Sequence, residues 1–322
     1  MIISVASGKG GTGKTTVAVN LALSIDNVQF LDCDVEEPNA HIFLKPQINK
    51  QNKAYIPVPE IDDSKCVYCG KCAKVCVYNA IAVLPGQDGK KGTTLVFAHL
   101  CHGCGACSAL CPEKAIKEVN REIGVVGSGN CGQIEFVHGK LNIGEAMSPP
   151  LIRQVKEQIN PVRDKTSKVP DGRLWRPISN GVNPKKTVII DAPPGTSCPV
   201  VTSVKGSDFC VLVTEPTPFG LNDLILAVEV LKKLAIPFGV VINRADLGNN
   251  KTEEYCKQEN IPVLMRIPFK KEIAMAYSKG EPMVQTFPEY KKDFIQLYKQ
   301  IVTNVSDKRA EEHKDGKQSN RK

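Results

Sequence analysis

Near the start of the 322-residue chain, Ser7-Gly8-Lys9-Gly10-Gly11-Thr12-Gly13-Lys14-Thr15-Thr16 gathers glycines and hydroxyls around two lysines. Gly8, Gly13, Lys14 and Thr15 fit G-x-x-x-x-G-K-[ST]. Glycines at this spacing let the backbone curl until its N–H groups face a phosphate at the start of a helix. Lys14 is then placed to neutralise the terminal phosphates of a nucleotide, and the Thr15 hydroxyl to hold Mg²⁺. Gly10, Gly11, Thr12 and Thr16 complete the loop expected to line the nucleotide. A second chemistry sits downstream. Eight of the 13 cysteines fall in two runs, Cys66-x2-Cys69-x2-Cys72-x3-Cys76 and Cys101-x2-Cys104-x2-Cys107-x3-Cys111, the latter followed by Pro112. The runs are one repeat displaced by 35 residues, trailing into AIAVL and AIKEV. Metal ligation is the chemistry such spacing serves. A zinc site would call for pairs of C-x2-C instead.

These residues need positioning elements. Ile2, Ile3, Val5 and Ala6 form a strand pattern before the glycine loop, and the run VAVNLALSI after it reads as a helix. Val28–Leu31 is an apolar strand ending in Asp32-Cys33-Asp34. Thr187–Ile190 is another, ending in Asp191-Ala192-Pro193-Pro194-Gly195. A third, Val240–Ile242, ends in Asn243-Arg244. Polar side chains at the carboxyl ends of parallel strands are where an open α/β sheet gathers its ligand. The expected fold is therefore α/β, a mostly parallel sheet flanked by helices. The last helical pattern, PEYKKDFIQLYKQIV, places Phe294, Ile295, Tyr298, Ile301 and Val302 on one face, as packing against the core requires.

With Lys9 early in the loop, the motif Lys9-Gly10-Gly11-Thr12-Gly13-Lys14-Thr15 resembles the phosphate loop of the MinD/ParA/Mrp ATPases and the nitrogenase iron protein. The resemblance implies a P-loop ATPase that binds ATP or ADP with Mg²⁺ between two subunits, as a homodimer or a heterodimer with a related chain. It implies that Lys9 reaches the partner's nucleotide and that Asp34 orients the attacking water. It also implies that Asp191, with Thr15, attends Mg²⁺, that Gly195 lets the second switch move, and that Asn243 reads adenine. The cysteine runs resemble those of bacterial two-cluster ferredoxins, in which the fourth cysteine of each run serves the other cluster. That resemblance implies one 4Fe–4S cluster on Cys66, Cys69, Cys72 and Cys111, and a second on Cys101, Cys104, Cys107 and Cys76. Val77 stands where the full pattern has proline. Over residues 1–300 the chain resembles MinD-type ATPases carrying a small inserted α+β ferredoxin-like domain. The expected division is an ATPase domain from 1–56 and 121–305, an insert over 57–120, and a disordered tail over 306–322.

Bulk properties narrow the class. No run approaches the ~18–20 apolar residues that span a membrane, and the chain enters a strand directly after Met1, so a cytoplasmic protein is expected. The net charge of +8 is spread without a basic block, so neither nucleic acid nor membrane is an expected partner; a redox protein is. Of the other cysteines, Cys33, Cys210 and Cys256 read as packing residues. Cys198 reads first as a packing cysteine; it also stands seven residues after Asp191, an offset shared with the nitrogenase iron protein's cluster ligand, with Cys131 as a candidate companion for a shared cluster or transient metal site. The expected function is ATP hydrolysis coupled to electron transfer through two clusters. A cluster-carrier ATPase and a ParA/MinD-like positioning ATPase are the alternatives.

Overall fold

The computed structural model describes residues 1–86, 91–159 and 186–319, with side chains to residue 307. Its strands are β1 (Ile2–Ala6), β2 (Val28–Asp32), β3 (Gln47–Ile61), β4 (Ile81–Leu84), β5 (Thr93–Val96) and β6 (Ile116–Cys131). They continue as β7 (Ile134–Leu141), β8 (Thr187–Asp191), β9 (Phe209–Thr214), β10 (Phe238–Asn243) and β11 (Val263–Ile267). The helices are α1 (Lys14–Ser24), α2 (Ala40–Leu44), α3 (Lys71–Val75), α4 (Ala106–Ala109), α5 (Pro149–Lys156) and α6 (Cys198–Val204). After them come α7 (Pro218–Lys233), α8 (Lys251–Gln258), α9 (Lys271–Ser278), α10 (Met283–Thr286) and α11 (Tyr290–Ser319). Two units divide the chain: Met1–Gln51, Gly127–Gly139 and Ile152–Lys322 form the first, and Asn52–Val126 with Lys140–Leu151 the second.

In the first unit the sheet runs β11-β10-β9-β1-β8-β2-β7, continuing to β6 and β3, which each have residues in both units. Every pairing from β11 to β7 is parallel. Period-2 alternation sends each strand's side chains into two cores. Along β9, Phe209, Val211 and Val213 enter one core with α1 and α11, while Cys210 and Leu212 enter the other with α6, α7 and α8. Burial on both faces explains why these strands read as continuous apolar runs. The sheet order also solves a chain-distance problem. It sets β1 beside β8 and β8 beside β2, bringing the carboxyl ends that carry residues 6, 32 and 191 together.

Helix α11 buries Phe294, Leu297, Ile301 and Val305 in the first core, and Tyr298 shares a hydrogen bond with Thr187 (2.8 Å). The apolar face is therefore shifted from the one expected: Leu297 and Val305 replace Val302, which is exposed. The face follows the 3, 4, 4 spacing of a helix that keeps one side to the sheet. The helix also continues to Ser319, through residues 306–319 where the sequence predicts disorder. Helix formers such as Lys308, Arg309, Ala310 and Glu311 extend the backbone ladder there; residues 320–322 lie outside the described residues.

The second unit is wider than the 57–120 expected. The long strands β3 and β6 carry it outward, and the segment Lys140–Leu151 joins it. A forked ion pair holds that segment: Arg121 grips Glu145 through both guanidinium nitrogens, one at 2.9 Å. Two short helices, α3 and α4, pack together beside the antiparallel hairpin β4–β5. The 35-residue repeat is visible in the backbone. Left-handed φ values recur in pairs at Tyr68 and Gly103 (55° and 65°), Gly70 and Gly105 (73° and 72°), and Asn79 and Lys114 (53° and 48°). Among the described residues no helix is long and apolar enough to cross a membrane.

Phe294 has no exposed surface, so Phe294→Ala is expected to cost about 3–5 kcal/mol. Denaturant unfolding of the purified chain measures it; a loss below 1 kcal/mol would contradict the packing described.

Candidate functional site

In the first unit, β1 delivers the chain into the glycine loop and α1 takes it away. Gly11 and Gly13 adopt φ values of 80° and 93°, which only glycine enters without strain. A side chain on Gly13 would also lie 2.5 Å from the Asn243 amide nitrogen. Gly8 serves close packing instead, because a Cβ there would meet the Asp223 carbonyl of α7 at 2.2 Å. Gly13 is the N-cap of α1 and offers no side-chain acceptor, so the first-turn N–H groups of this 11-residue helix are left for a ligand.

Charge converges behind the loop. Lys14 Nζ stands 3.6 Å from Asp34 Oδ2, and Thr15 Oγ1 donates to Asp191 Oδ2 at 2.6 Å. The other Asp191 oxygen is buried with no hydrogen-bond partner, as is Thr12 Oγ1. Asp32 pairs in register with Asp191 on the adjoining strand. Its carboxylate accepts the N–H of Asp34 (3.2 Å) and of Ala40 (3.1 Å), so it ties down both ends of the loop 34–40. Burial pushes the Asp32 carboxyl well above the usual range, with Asp191 beside it adding to the rise. Burial raises Asp191 as well, against the pull of Lys14. Asp34 is lifted to about 6, again by burial first, while Lys14 opposes the rise. Three buried carboxylates around one ammonium, one of them with an orphaned oxygen beside a hydroxyl, form a donor set suited to a hard divalent cation. Thr15 and Asp191 are the residues that fit Mg²⁺.

The remaining expected contacts surround the loop. Gly195, with φ 98°, donates its N–H to the Ser7 carbonyl (3.0 Å), tying the segment after β8 to the loop base. A Cβ on Gly10 would lie 4.0 Å from Pro194, in that same segment. Asn243 donates from Nδ2 to the Thr12 carbonyl at 2.9 Å, so its amide braces the phosphate loop. Lys9 Nζ stands 4.0 Å from the buried carboxylate of Glu215, which also pairs with Arg244 at 2.7 Å. Glu215 was not singled out from the sequence. Its signal was available: like Asp32 and Asp191, it is an acid at the carboxyl end of an apolar strand.

Two cavities of the second unit are walled by cysteines. Cys66, Cys69, Cys72 and Cys111 line the first; Cys76, Cys101, Cys104 and Cys107 line the second. Each wall thus takes three cysteines from one run and the fourth from the other. Backbone N–H groups already point at sulfur in repeat-related places, Ala80 to Cys76 and Ala115 to Cys111, both at 3.3 Å, and Gly103 to Cys101 at 3.4 Å. Among the described residues no group of three or more His, Cys, Asp or Glu is gathered tightly enough for a lone metal ion. A four-iron cube asks for something different, since each thiolate takes its own iron around a shared volume. Four-cysteine walls with N–H donors to sulfur fit that group. Cys198 is exposed at the start of α6, Cys131 is half-buried at the end of β6, and Cys33, Cys210 and Cys256 are buried. Burial holds those last three thiols well above their usual range, to about 12 for Cys210 and about 11 for Cys256. They remain packing thiols.

A parallel sheet with a glycine loop between its central strand and first helix defines a P-loop nucleotide-binding protein of the α/β class. The chain belongs to the CobQ/CobB/MinD/ParA nucleotide-binding family, whose profile matches residues 3–283. An uncharacterized protein of Methanocaldococcus jannaschii is 29% identical, covering 88% of this chain and 92% of the relative. An iron-sulfur cluster carrier protein of Pyrococcus abyssi is 22% identical over 97% of this chain and 89% of its own length. Ferredoxin-3 of Rhodobacter capsulatus is 36% identical, covering 19% of this chain and 80% of the ferredoxin. The septum site-determining protein MinD of Pyrococcus horikoshii, solved with Mg-ADP, shares the fold with a TM-score of 0.51 and 19% identity, over 93% of this chain and 95% of MinD.

Lys14→Ala removes the cation closest to Asp34 and the charge that would meet the phosphates. Binding of Mg-ATP, measured by titration calorimetry, is expected to disappear. Retained binding within tenfold of the parent would contradict the placement of Lys14.

Proposed function

We propose that this chain hydrolyses ATP and couples the nucleotide-driven switching of a dimer to electron transfer through two 4Fe–4S clusters. The observation that carries the reading is the pair of four-cysteine cavities in a chain that also holds a complete phosphate loop. In the first unit, the α1 N-terminus and Lys14 take the phosphates, and Thr15 with Asp191 holds Mg²⁺. Lys14 then exchanges its ion pair with Asp34 for phosphate oxygens, which frees Asp34 to orient the attacking water. Lys9 leaves Glu215 to meet the nucleotide of a second subunit. In the second unit the eight cysteines hold the clusters, which supply one-electron storage and transfer.

The connection between the functions is covalent. Sixteen residues lie between Asp34 and Gln51, where the chain passes into the second unit, and α2 falls within that span. A loop whose ends are tied by Asp32 can transmit a change at Asp34 into α2 and onward along β3.

A carrier function is the second reading, favoured by the cluster carrier relative that aligns along most of the chain. The two part on whether clusters leave. Incubation of the anaerobically reconstituted chain with Mg-ATP and an apo-ferredoxin acceptor, followed by separation, reads this directly. Retention of about eight irons on the chain is the outcome expected for electron transfer; their appearance on the acceptor would establish the carrier. Asp34→Ala is expected to bind ATP but hydrolyse it about a hundredfold or more slowly. Hydrolysis at the parent rate would remove Asp34 from its assigned role.

A further inference from the structure

We propose that the two cysteine-lined cavities are electrostatically unequal, so that a cluster at Cys101, Cys104, Cys107 and Cys76 has a lower reduction potential than one at Cys66, Cys69, Cys72 and Cys111. The inference rests on the two-cluster reading above and adds an order of filling to it. Cluster potential is set by nearby charge, hydrogen bonds to sulfur and solvent access. The 35-residue repeat makes the comparison direct, because most wall positions of one cavity, the four cysteines included, have a counterpart in the other.

Hydrogen bonding does not separate the two. At the Cys101 cavity the N–H groups of Ala80, Gly103 and Ser108 donate to Cys76, Cys101 and Cys107. At the Cys66 cavity those of Ala115 and Ala73 donate to Cys111 and Cys72, and Thr94 Oγ1 lies 3.8 Å from Cys66 Sγ. Charge does separate them. Lys71 and Glu113 both line the Cys66 cavity and offset each other. Glu118 lines the Cys101 cavity with no lysine or arginine on that wall, at the repeat position where the other cavity has Val83. Ser108, next to Cys107, donates to the Glu118 carboxylate at 2.7 Å and keeps it there.

Burial acts in the same direction. Cys101 and Cys107 are buried, whereas their counterparts Cys66 and Cys72 are half-exposed. The rings of Tyr78 and His102 stack on the same wall, 3.4 Å apart and 8° from parallel, where the other cavity has Glu113 and Val67. Reduction adds one negative charge, which a nearby carboxylate and a drier wall both oppose. Water screens part of the exposed Glu118 charge, and the buried sulfurs supply the rest of the difference. The first electron from a one-electron reductant therefore settles at the Cys66 site.

The test is a dithionite titration of the full-length, anaerobically reconstituted chain, followed by EPR. Two resolved reduction steps are expected. Glu118→Gln should move the lower step upward and leave the upper one in place, while Lys71→Gln should move the upper step downward and leave the lower one. Both residues are exposed, so neither change removes a core contact. A single unresolved step, or variants that leave both steps fixed or move the opposite one, would overturn the inference alone. A chain that takes up fewer than two clusters would overturn the two-cluster reading and this inference with it.

Discussion

Burying like charges is the constraint on which the nucleotide-binding unit turns. Asp32, Asp34 and Asp191 lie under 10% exposed at or just past the ends of adjoining strands, and among the described residues Lys14 is the ammonium paired with them. Such an arrangement survives only when each charge is matched or neutralised. Asp32 is matched by two backbone N–H groups, Asp34 by Lys14, and Asp191 on one oxygen alone by Thr15. What remains unmatched defines what the site would accept: a cation at Asp191, and anionic oxygens at Lys14 and the start of α1. The left-handed glycines follow from this, because the loop must bring its backbone to the anion while Lys14 reaches back to Asp34.

Sheet order makes the arrangement possible despite the chain's detour. Between β2 and β8 the chain leaves for the second unit and returns, yet β2 and β8 are neighbours in register. Parallel pairing over five residues is enough to set Asp32 opposite Asp191. The detour is free to carry another chemistry, because its ends are long strands and not a loop at the site. Within it the same physics recurs: backbone N–H groups aimed at sulfur and left-handed turns where the chain must curl close to a shared volume.

The phosphate loop and the strand-terminal aspartates were legible because glycine, lysine and acid spacing is local, and local geometry follows from it. Which cysteines share a wall was implied by the resemblance to two-cluster ferredoxins and not by spacing alone, which does not say how the two runs fold onto each other. Glu215 was not legible as the partner of Lys9, because the pairing depends on β9 lying beside β1. Nor were the outer limits of the second unit, where Arg121 recruits Glu145 across a gap in sequence. The face of α11 was misjudged by a few positions at Leu297, Val302 and Val305, since an apolar stripe with several neighbours has more than one acceptable centre until the sheet selects one.

We propose that nucleotide bound in the first unit alters the clusters held by the second. An anaerobic potentiometric titration monitored by EPR, run with and without Mg-ATP on the full-length chain, tests it most directly. The account predicts that Mg-ATP shifts at least one reduction step or its line shape, and that Lys14→Ala abolishes the shift. Potentials and spectra indifferent to nucleotide, in a chain shown to bind both, would contradict it.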